Sequence, residues 1–207
     1  MKLAALALAL AACGGASPEN RYYQLANPAH TAAHTGAATI AVQPLSSDGA
    51  YDDERIVYRV NPYRLDYYNY HRWSAAPGTL IGNYLEQAFA KSGRFRSVVR
   101  DASEATPVVL GGRVVALEEV DASTTQWKGR VVLELTLTDT TTSQVLWSEQ
   151  FEETENLPER NPEGMARAIS AAMARIVEKA LPMVAEIAEK QTQIHEASAA
   201  ERAAHVH

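Results

Sequence analysis

The chain has 207 residues, of which 46% are hydrophobic, and a formal net charge of −6. This length and hydrophobic content suit one domain with terminal extensions and an ordinary core, and they exclude a chain that is disordered throughout. The acidic balance, without a basic stripe, argues against nucleic acid as a partner.

The first residues have the composition of a lipoprotein signal. Residues 1–12 contain one basic residue, Lys2, followed by an apolar run that is far shorter than the ~20 residues of a spanning helix. The run ends in Leu-Ala-Ala directly before Cys13, which resembles a bacterial lipobox. We therefore predict a cleaved signal peptide over residues 1–12, with a truncated start site and a frayed apolar N-terminus as the alternatives.

Cys13 is the only cysteine of the chain, so an exported domain has no intramolecular disulfide and this thiol has another use. Acylation of Cys13 would supply that use, with residues 13–20 as a small, polar, lipidated tether between bilayer and domain. Gly14 stands where an Asp would generally signal retention in the inner membrane. The prediction is an outer-membrane anchor that faces the periplasm of a Gram-negative bacterium.

The next segment is predicted to contain two strands and no metal site. Arg21–Leu25 and Thr39–Leu45 have strand composition, and residues 26–38 between them form an aperiodic loop. His30 and His34 have the i, i+4 spacing that would aim both at one metal if they lay on a helix. Because no helix is indicated there and no third ligand is near, we predict no metal and no cofactor.

A hairpin rich in tyrosine is the most distinctive part of the sequence. Arg55–Val60 and Arg64–Trp73 are rich in β-branched and aromatic residues, and Asn61-Pro62-Tyr63 supplies the turn between them. Strand alternation gives the second strand two faces, of which only one can be core. One face carries Leu65, Tyr67, His71 and Trp73, and the other carries Asp66, Tyr68, Tyr70 and Arg72.

The second of these faces has the composition of a contact surface, because tyrosine and arginine side by side are typical of protein interfaces. We predict partner binding through Tyr68, Tyr70 and Arg72, with Arg64 and Asp66 at the margin. The alternative, that these tyrosines pack beneath helices or loops, stays open.

A helix is predicted after the hairpin. Ser74 can cap it, Pro77 suits its first turn, and Gly93 ends it, while apolar residues recur between them at steps of three and four. Strand composition then returns in four segments. They are Arg94–Arg100, Pro107–Leu117, Val131–Asp139 and Gln144–Phe151.

Two features of these later strands are specific. Gly111-Gly112 within a strand marks a bulge or a close approach of backbones, and it lacks the residues of a phosphate loop. Val131–Asp139 alternates, which predicts a sheet with one partly solvated face. The inward residues are Val131, Leu133, Leu135 and Leu137, and the outward ones are Val132, Glu134, Thr136 and Thr138.

A second helix is predicted from Asn161, a capping residue, and Pro162, at the first helical position. Pro182 should kink or divide this helix. Residues 189–207 are rich in Ala and charge without a continuous apolar face, which predicts a polar, disordered tail.

The sequence contains no recognisable catalytic constellation, so we predict that the chain is not an enzyme. Glu118-Glu119 is interpreted as part of a solvated turn. His71 is the best single candidate for chemistry, although packing beside Trp73 explains it equally well. Two alternatives stay open: an envelope hydrolase that uses His71 with an acidic neighbour, and a structural envelope lipoprotein.

The run IVYRVNPYRLDYYNYHRW over residues 56–73, followed by a helix, is similar to the ABC-type transport auxiliary lipoproteins. Cys13, Tyr22-Tyr23-Gln24-Leu25 and Ile40-Ala41-Val42-Gln43-Pro44 agree with that pattern. The first half of the chain resembles the family well, and the second half resembles it in the order of elements.

This resemblance implies a periplasmic accessory lipoprotein of an ABC-type, MCE-like lipid transport system that acts by protein–protein binding. Its partners would be the periplasmic and inner-membrane components of the transporter, and homo-oligomerisation is left open. The predicted fold is one α/β domain over residues 21–188, with a mixed, largely antiparallel β-sheet of about seven or eight strands packed against two principal helices.

Overall fold

The computed structural model describes residues 18–26, 32–33, 35–103 and 106–205, so the predictions for Cys13, His30 and His34 lie outside the described residues. In the described part of the chain, nine strands form one sheet and two helices pack on it. The strands are β1 (Arg21–Tyr23), β2 (Thr39–Val42), β3 (Ser46–Ser47), β4 (Arg55–Asn61), β5 (Arg64–Trp73), β6 (Ser97–Val99), β7 (Val108–Ser123), β8 (Gln126–Asp139) and β9 (Val145–Asn156), and the helices are α1 (Pro77–Lys91) and α2 (Pro162–Ala204).

The long strand β7 organises the sheet. Along one edge it pairs in parallel with β2, then β3, then β4, and along the other edge it pairs with β8 in antiparallel fashion. β5 and β1 extend the sheet beyond β4, β6 extends it beyond β2, and β9 extends it beyond β8. The predicted mixed sheet is confirmed, and its longest ladders, β7–β8 and β8–β9, are antiparallel.

Strand β8 follows the predicted alternation except at Val132. Its inward positions are fully buried, and Glu134, Thr136 and Thr138 keep partial exposure. The outward assignment of Val132 is wrong, because its side chain is only 2% exposed and packs among the buried hydrophobic residues of the core. Both helices pack on this inner side of the sheet and contact each other. The fully buried inward residues of β8 are Val131, Leu133, Leu135 and Leu137.

The glycine pair of β7 marks a close approach of two backbones. Gly112 has a φ of 144°, and a Cβ atom there would lie 2.0 Å from the carbonyl oxygen of Glu134 on β8. At Gly111 the same atom would meet nothing within 4 Å. Only the second glycine is therefore required by the backbone.

The helix starts agree with the sequence in one case and differ in the other. At α2 the side chain of Asn161 accepts a hydrogen bond of 2.7 Å from the backbone N–H of Gly164, and Pro162 follows as predicted. At α1 the residue before the helix is Ala76, without a side-chain cap, so the predicted cap at Ser74 is wrong. Pro77 fixes that start by its own restricted φ.

Helix α2 runs for 43 residues to Ala204, through Pro182 and through most of the segment predicted to be a disordered tail. The prediction of a disordered tail is wrong, because this part of the helix is held by polar contacts and not by an apolar face. His195 Nε2 lies 2.7 Å from a carboxylate oxygen of the buried Asp139, and Gln191 donates to the same carboxylate. Ala-rich sequence also has high helix propensity, so the added turns cost little.

Neither α1 nor α2 is long and apolar enough to cross a membrane, and the same holds for every helical segment among the described residues.

Candidate interaction surface on the tyrosine-rich hairpin

A buried carboxylate holds the stem of the β4–β5 hairpin against the middle of the sheet. Glu118 of β7 is 0% exposed, and its carboxylate accepts hydrogen bonds from Arg59 Nε at 2.9 Å and Arg130 Nη1 at 2.9 Å. The hydroxyl of Tyr51 donates to it at 2.6 Å. A buried charge is tolerated only when it is paired and hydrogen-bonded in this way, so the cluster ties β4, β7 and β8 together.

The cluster also shifts the pKa of the Arg59 guanidinium and of the Tyr51 hydroxyl. The hydrogen bond to Glu118 raises the pKa of the Arg59 guanidinium above its ordinary value. Burial, followed by the neighbouring carboxylate of Glu118, raises the pKa of the Tyr51 hydroxyl. Both groups therefore keep their protons across the physiological pH range, and the pairing is constant there.

The adjacent Glu119 points to the other face of β7 and is also buried. Its carboxylate accepts a hydrogen bond of 3.0 Å from the hydroxyl of Tyr68, and burial raises the pKa of both groups. The interpretation of Glu118-Glu119 as a solvated turn is wrong, because both side chains lie inside strand β7 with partners from distant strands.

Tyr68 does not lie on the face predicted for it. Its ring meets the ring of His71 edge-on with centroids 5.9 Å apart, so the two residues share a side that strict alternation would separate. Between two matched pairs of the hairpin, Arg55–Arg72 and Val57–Tyr67, β5 advances by more residues than β4. This irregularity breaks the two-residue period and turns Tyr68 inward.

His71 belongs to the same inward group of side chains. Its Nδ1 atom lies 2.8 Å from the hydroxyl oxygen of Tyr23 on β1, and burial, with Arg21 nearby, lowers the pKa of its imidazole. The hydrolase alternative needs an acidic neighbour, whereas this hydrogen bond goes to a tyrosine. The geometry therefore supports a packing role for His71.

Tyr70 and Arg72 do reach the surface. Tyr70 is 46% exposed, and Arg72 lies beside Tyr22 of β1 in the parallel pairing of β1 with β5. Tyr22 is itself 60% exposed. A shallow depression of about 430 Å³ joins Arg72 and Tyr22 to an acidic loop, and its lining residues are Tyr22, Asp52, Asp53, Glu54, Arg72 and Ala76.

Arg64 and Asp66 form an ion pair of 2.6 Å near the turn of the hairpin. Eight residue steps separate Arg64 from Arg72, which corresponds to about 26 Å along an extended strand. The five residues predicted to bind a partner therefore do not form one patch. Tyr70 and Arg72 lie at one end of β5, Arg64 and Asp66 at the other, and Tyr68 points inward.

The sequence did not single out two of the most exposed tyrosines as site residues. Tyr22 is on β1, and only the non-local pairing of β1 with β5 places it beside Arg72. Tyr63, at the turn, is 98% exposed, and its position directly after Asn61-Pro62 was a local signal for this.

A family model described as ABC-type transport auxiliary lipoprotein component matches residues 23–180 of the chain. Among solved structures, protein XCC0632 from Xanthomonas campestris is 18% identical, with 84% of this chain and 99% of that chain covered and a TM-score of 0.73. A second, described only as an uncharacterized protein, is 12% identical, with 82% and 99% covered and a TM-score of 0.62. These two share the fold. No curated protein matches the chain.

Proposed function

The chain belongs to the family of ABC-type transport auxiliary lipoprotein components, and we propose that it is the outer-membrane-anchored, periplasmic accessory subunit of an MCE-type lipid transport system. The family match over residues 23–180 is the observation that carries this proposal. The role requires no catalysis by the chain itself. It requires a membrane anchor and a surface for the periplasmic components of the transporter.

The anchor is acylated Cys13, the only cysteine, directly after the apolar N-terminal run. Stable attachment needs more than one acyl chain, which bacterial lipoprotein processing normally provides. We expect Cys13→Ala to move the protein out of the outer-membrane fraction after cell fractionation, whereas Ser17→Ala in the same tether leaves it there. Cys13→Ala protein that still co-sediments with the outer membrane would contradict the anchor.

The partner surface is the end of the hairpin that carries Tyr70, Arg72 and Tyr22. Two exposed tyrosines and an arginine on the paired strands β5 and β1 provide amphipathic area at a low cost in conformational entropy. The neighbouring acidic loop, Asp52 to Glu54, adds charge of the opposite sign, which favours orientation of a polar partner surface.

The test is the double variant Tyr70→Ala with Arg72→Ala in the full chain. Because truncation of an aromatic or arginine anchor costs more than ~2 kcal/mol, which is about 30-fold in affinity for one anchor, we expect the double variant to weaken partner binding by more than about 30-fold. Exposed residues outside the core change the free energy of unfolding by about 0.5 kcal/mol, so stability should change little. Binding can be measured by calorimetry with the periplasmic part of the transporter.

Val145→Ala is the matched control, since Val145 is 58% exposed on β9, at the opposite edge of the sheet from β5 and β1. It should leave both binding and stability unchanged. Two results would count against this surface: unchanged binding by the double variant, or a loss of stability large enough to show that Tyr70 and Arg72 support the fold.

A further inference from the structure

The turn of the β4–β5 hairpin presents an exposed tyrosine on a rigid support. Tyr63 is 98% exposed, more than any other large hydrophobic residue in the described part of the chain. Its backbone N–H donates to the side chain of Asn61 at 2.9 Å, and Arg59 Nη1 donates to the carbonyl oxygen of Pro62 at 3.3 Å. Arg59 is itself held by the buried Glu118. The turn is thus ordered, and the exposure of Tyr63 is built into it.

A second turn lies at the same end of the molecule. β4 and β7 are parallel, with Arg59 opposite Val120, so the β7–β8 turn projects in the same direction as the β4–β5 turn. Val60 and Trp127 line one shared depression of about 420 Å³, and the guanidinium of Arg160 lies 4.2 Å from the centre of the Trp127 ring. This end therefore brings tyrosine, tryptophan and arginine, which favour a membrane–water interface, together with the apolar Val60, and Asp121 lines the same depression.

The course of the chain points the tether toward this end. β1 runs parallel to β5, with Arg21 beside His71, so the residues that precede β1 leave in the direction of the β4–β5 turn. Residues 13–20 can span at most about 26–29 Å when fully extended. The eight strand steps from His71 to Tyr63 cover about 26 Å. The greatest reach of the tether is therefore about the length of the part of the hairpin beside it.

We infer that the tip of the hairpin, Val60 to Arg64, rests on the phospholipid surface to which the chain is anchored, with the ring of Tyr63 at the level of the headgroups. The inference depends on the anchor at Cys13 proposed above. A bilayer that holds the acyl chains of Cys13 lies within reach of the tip whenever β5 points toward it. Amphipathic contacts at the tip then fix that orientation, which attachment through Cys13 alone does not set.

The test places a fluorescent probe on the full, acylated chain. In the Tyr63→Cys variant, acylation of Cys13, the only natural cysteine, leaves the engineered thiol as the single site for an environment-sensitive dye. The labelled protein is reconstituted in vesicles of phosphatidylethanolamine and phosphatidylglycerol that contain a lipid with a spin-labelled headgroup. Val145→Cys is the matched control, because Val145 is also exposed and apolar but lies at the far end of the long β8–β9 ladder.

An interfacial side chain lies within about 5–10 Å of the headgroups, so we expect the probe at position 63 to lose about half of its emission or more, and the probe at position 145 almost none. Equal quenching at the two positions, or quenching only at position 145, overturns the inference. A probe at position 63 that is unquenched in vesicles but shielded in native membranes also overturns it, since the tip then binds a protein. If mass spectrometry of the intact protein shows no acyl chains, both the proposed anchor and this inference are overturned. If the protein is acylated but the two probes are quenched equally, only the inference is overturned.

Discussion

Replacement of Glu118 by glutamine should destabilise the chain more than any other single loss of charge in the sheet. The side chain is fully buried and pairs with Arg59 and Arg130, so its neutral replacement leaves Arg59 without this anion and Arg130 with only the half-exposed Glu152. Loss of one partner from a buried ion pair costs about 3–5 kcal/mol. The two arginine side chains remain 26% and 29% exposed and can recover some hydration, which favours the lower value. At about 2–4 °C per kcal/mol for a chain of this size, the expected loss is about 6–12 °C in Tm.

Guanidinium-induced unfolding of the full chain measures this cost, and the cluster supplies its own controls. Glu152 accepts a hydrogen bond of 2.7 Å from the same Arg130, but its side chain is 50% exposed. Glu152→Gln should therefore cost only about 0–1 kcal/mol. Tyr51→Phe removes the hydroxyl that donates to Glu118 but keeps the ion pairs, and it should cost about 1.5 kcal/mol, as expected for a hydrogen bond to a charged group.

The order of the three variants is the informative result. If Glu118→Gln costs no more than Glu152→Gln, the buried carboxylate does not hold the hairpin, and its rigidity must come from apolar packing. If Tyr51→Phe costs as much as Glu118→Gln, the effect belongs to the hydrogen bond from the tyrosine hydroxyl and not to the ion pairs with the two arginines.

Two further predictions concern the close backbone approach in the sheet and the pH dependence of stability. Gly112→Ala should cost more than about 1 kcal/mol in unfolding free energy, because the φ of Gly112 is positive and the new methyl group would meet the carbonyl of Glu134. Gly111→Ala, where the new methyl group meets open space, should cost no more than about 0.5 kcal/mol. Equal costs of the two substitutions would refute the close approach of the backbones. Asp139 is buried, which would raise the pKa of its carboxyl, but hydrogen bonds, the largest from a turn amide and the next from His195, hold it well below its ordinary value. Since the folded-state pKa of Asp139 lies below the unfolded value of about 4, the stabilisation by the ionised carboxylate is present above about pH 4 and is lost as the pH falls further. The difference in unfolding free energy between wild type and Asp139→Asn should therefore narrow between about pH 4 and pH 2. A difference that stays constant over this range would contradict the coupling.

The hairpin shows what local sequence can predict and where it stops. The limits of β4 and β5 agree with the prediction within one residue, because β-branched and aromatic composition and an Asn-Pro turn act locally. The face assigned to Tyr68 is wrong, because the irregular pairing of the two strands was not marked by a glycine or proline. Periodicity is reliable only while the register is regular.

The buried carboxylates depend on contacts that no local pattern contains. Glu118 meets Arg59 across 59 positions of sequence, and Glu119 meets Tyr68 across 51. Two adjacent acidic residues in a strand normally indicate exposure. Only the parallel pairing of β4 with β7 brings the arginine to the carboxylate, and that pairing is a property of the whole sheet.

The prediction for the C-terminal part of α2 was wrong for a related reason. Residues 189–204 lack a continuous apolar stripe, so a hydrophobic criterion assigns them to solvent. In the structure, His195 and Gln191 both contact the buried carboxylate of Asp139, which lies 56 positions before His195 and 52 positions before Gln191. A helix that is held by polar contacts at one point cannot be found from the periodicity of its apolar residues.

The two ends of β5 have different proposed partners: a lipid surface at the turn that precedes the strand, and a protein at the other end. Tyr63 lies at the end toward the anchor, and Arg72 with Tyr22 lies about 30 Å away along the same strand. If the first end rests on the outer membrane, the second necessarily faces the periplasmic space, from which a transporter based in the inner membrane would approach. Because both contacts would lie along β5 and the turn that precedes it, the strand itself would set their separation, and an orientation fixed at the lipid surface would also fix the direction of the protein-binding end.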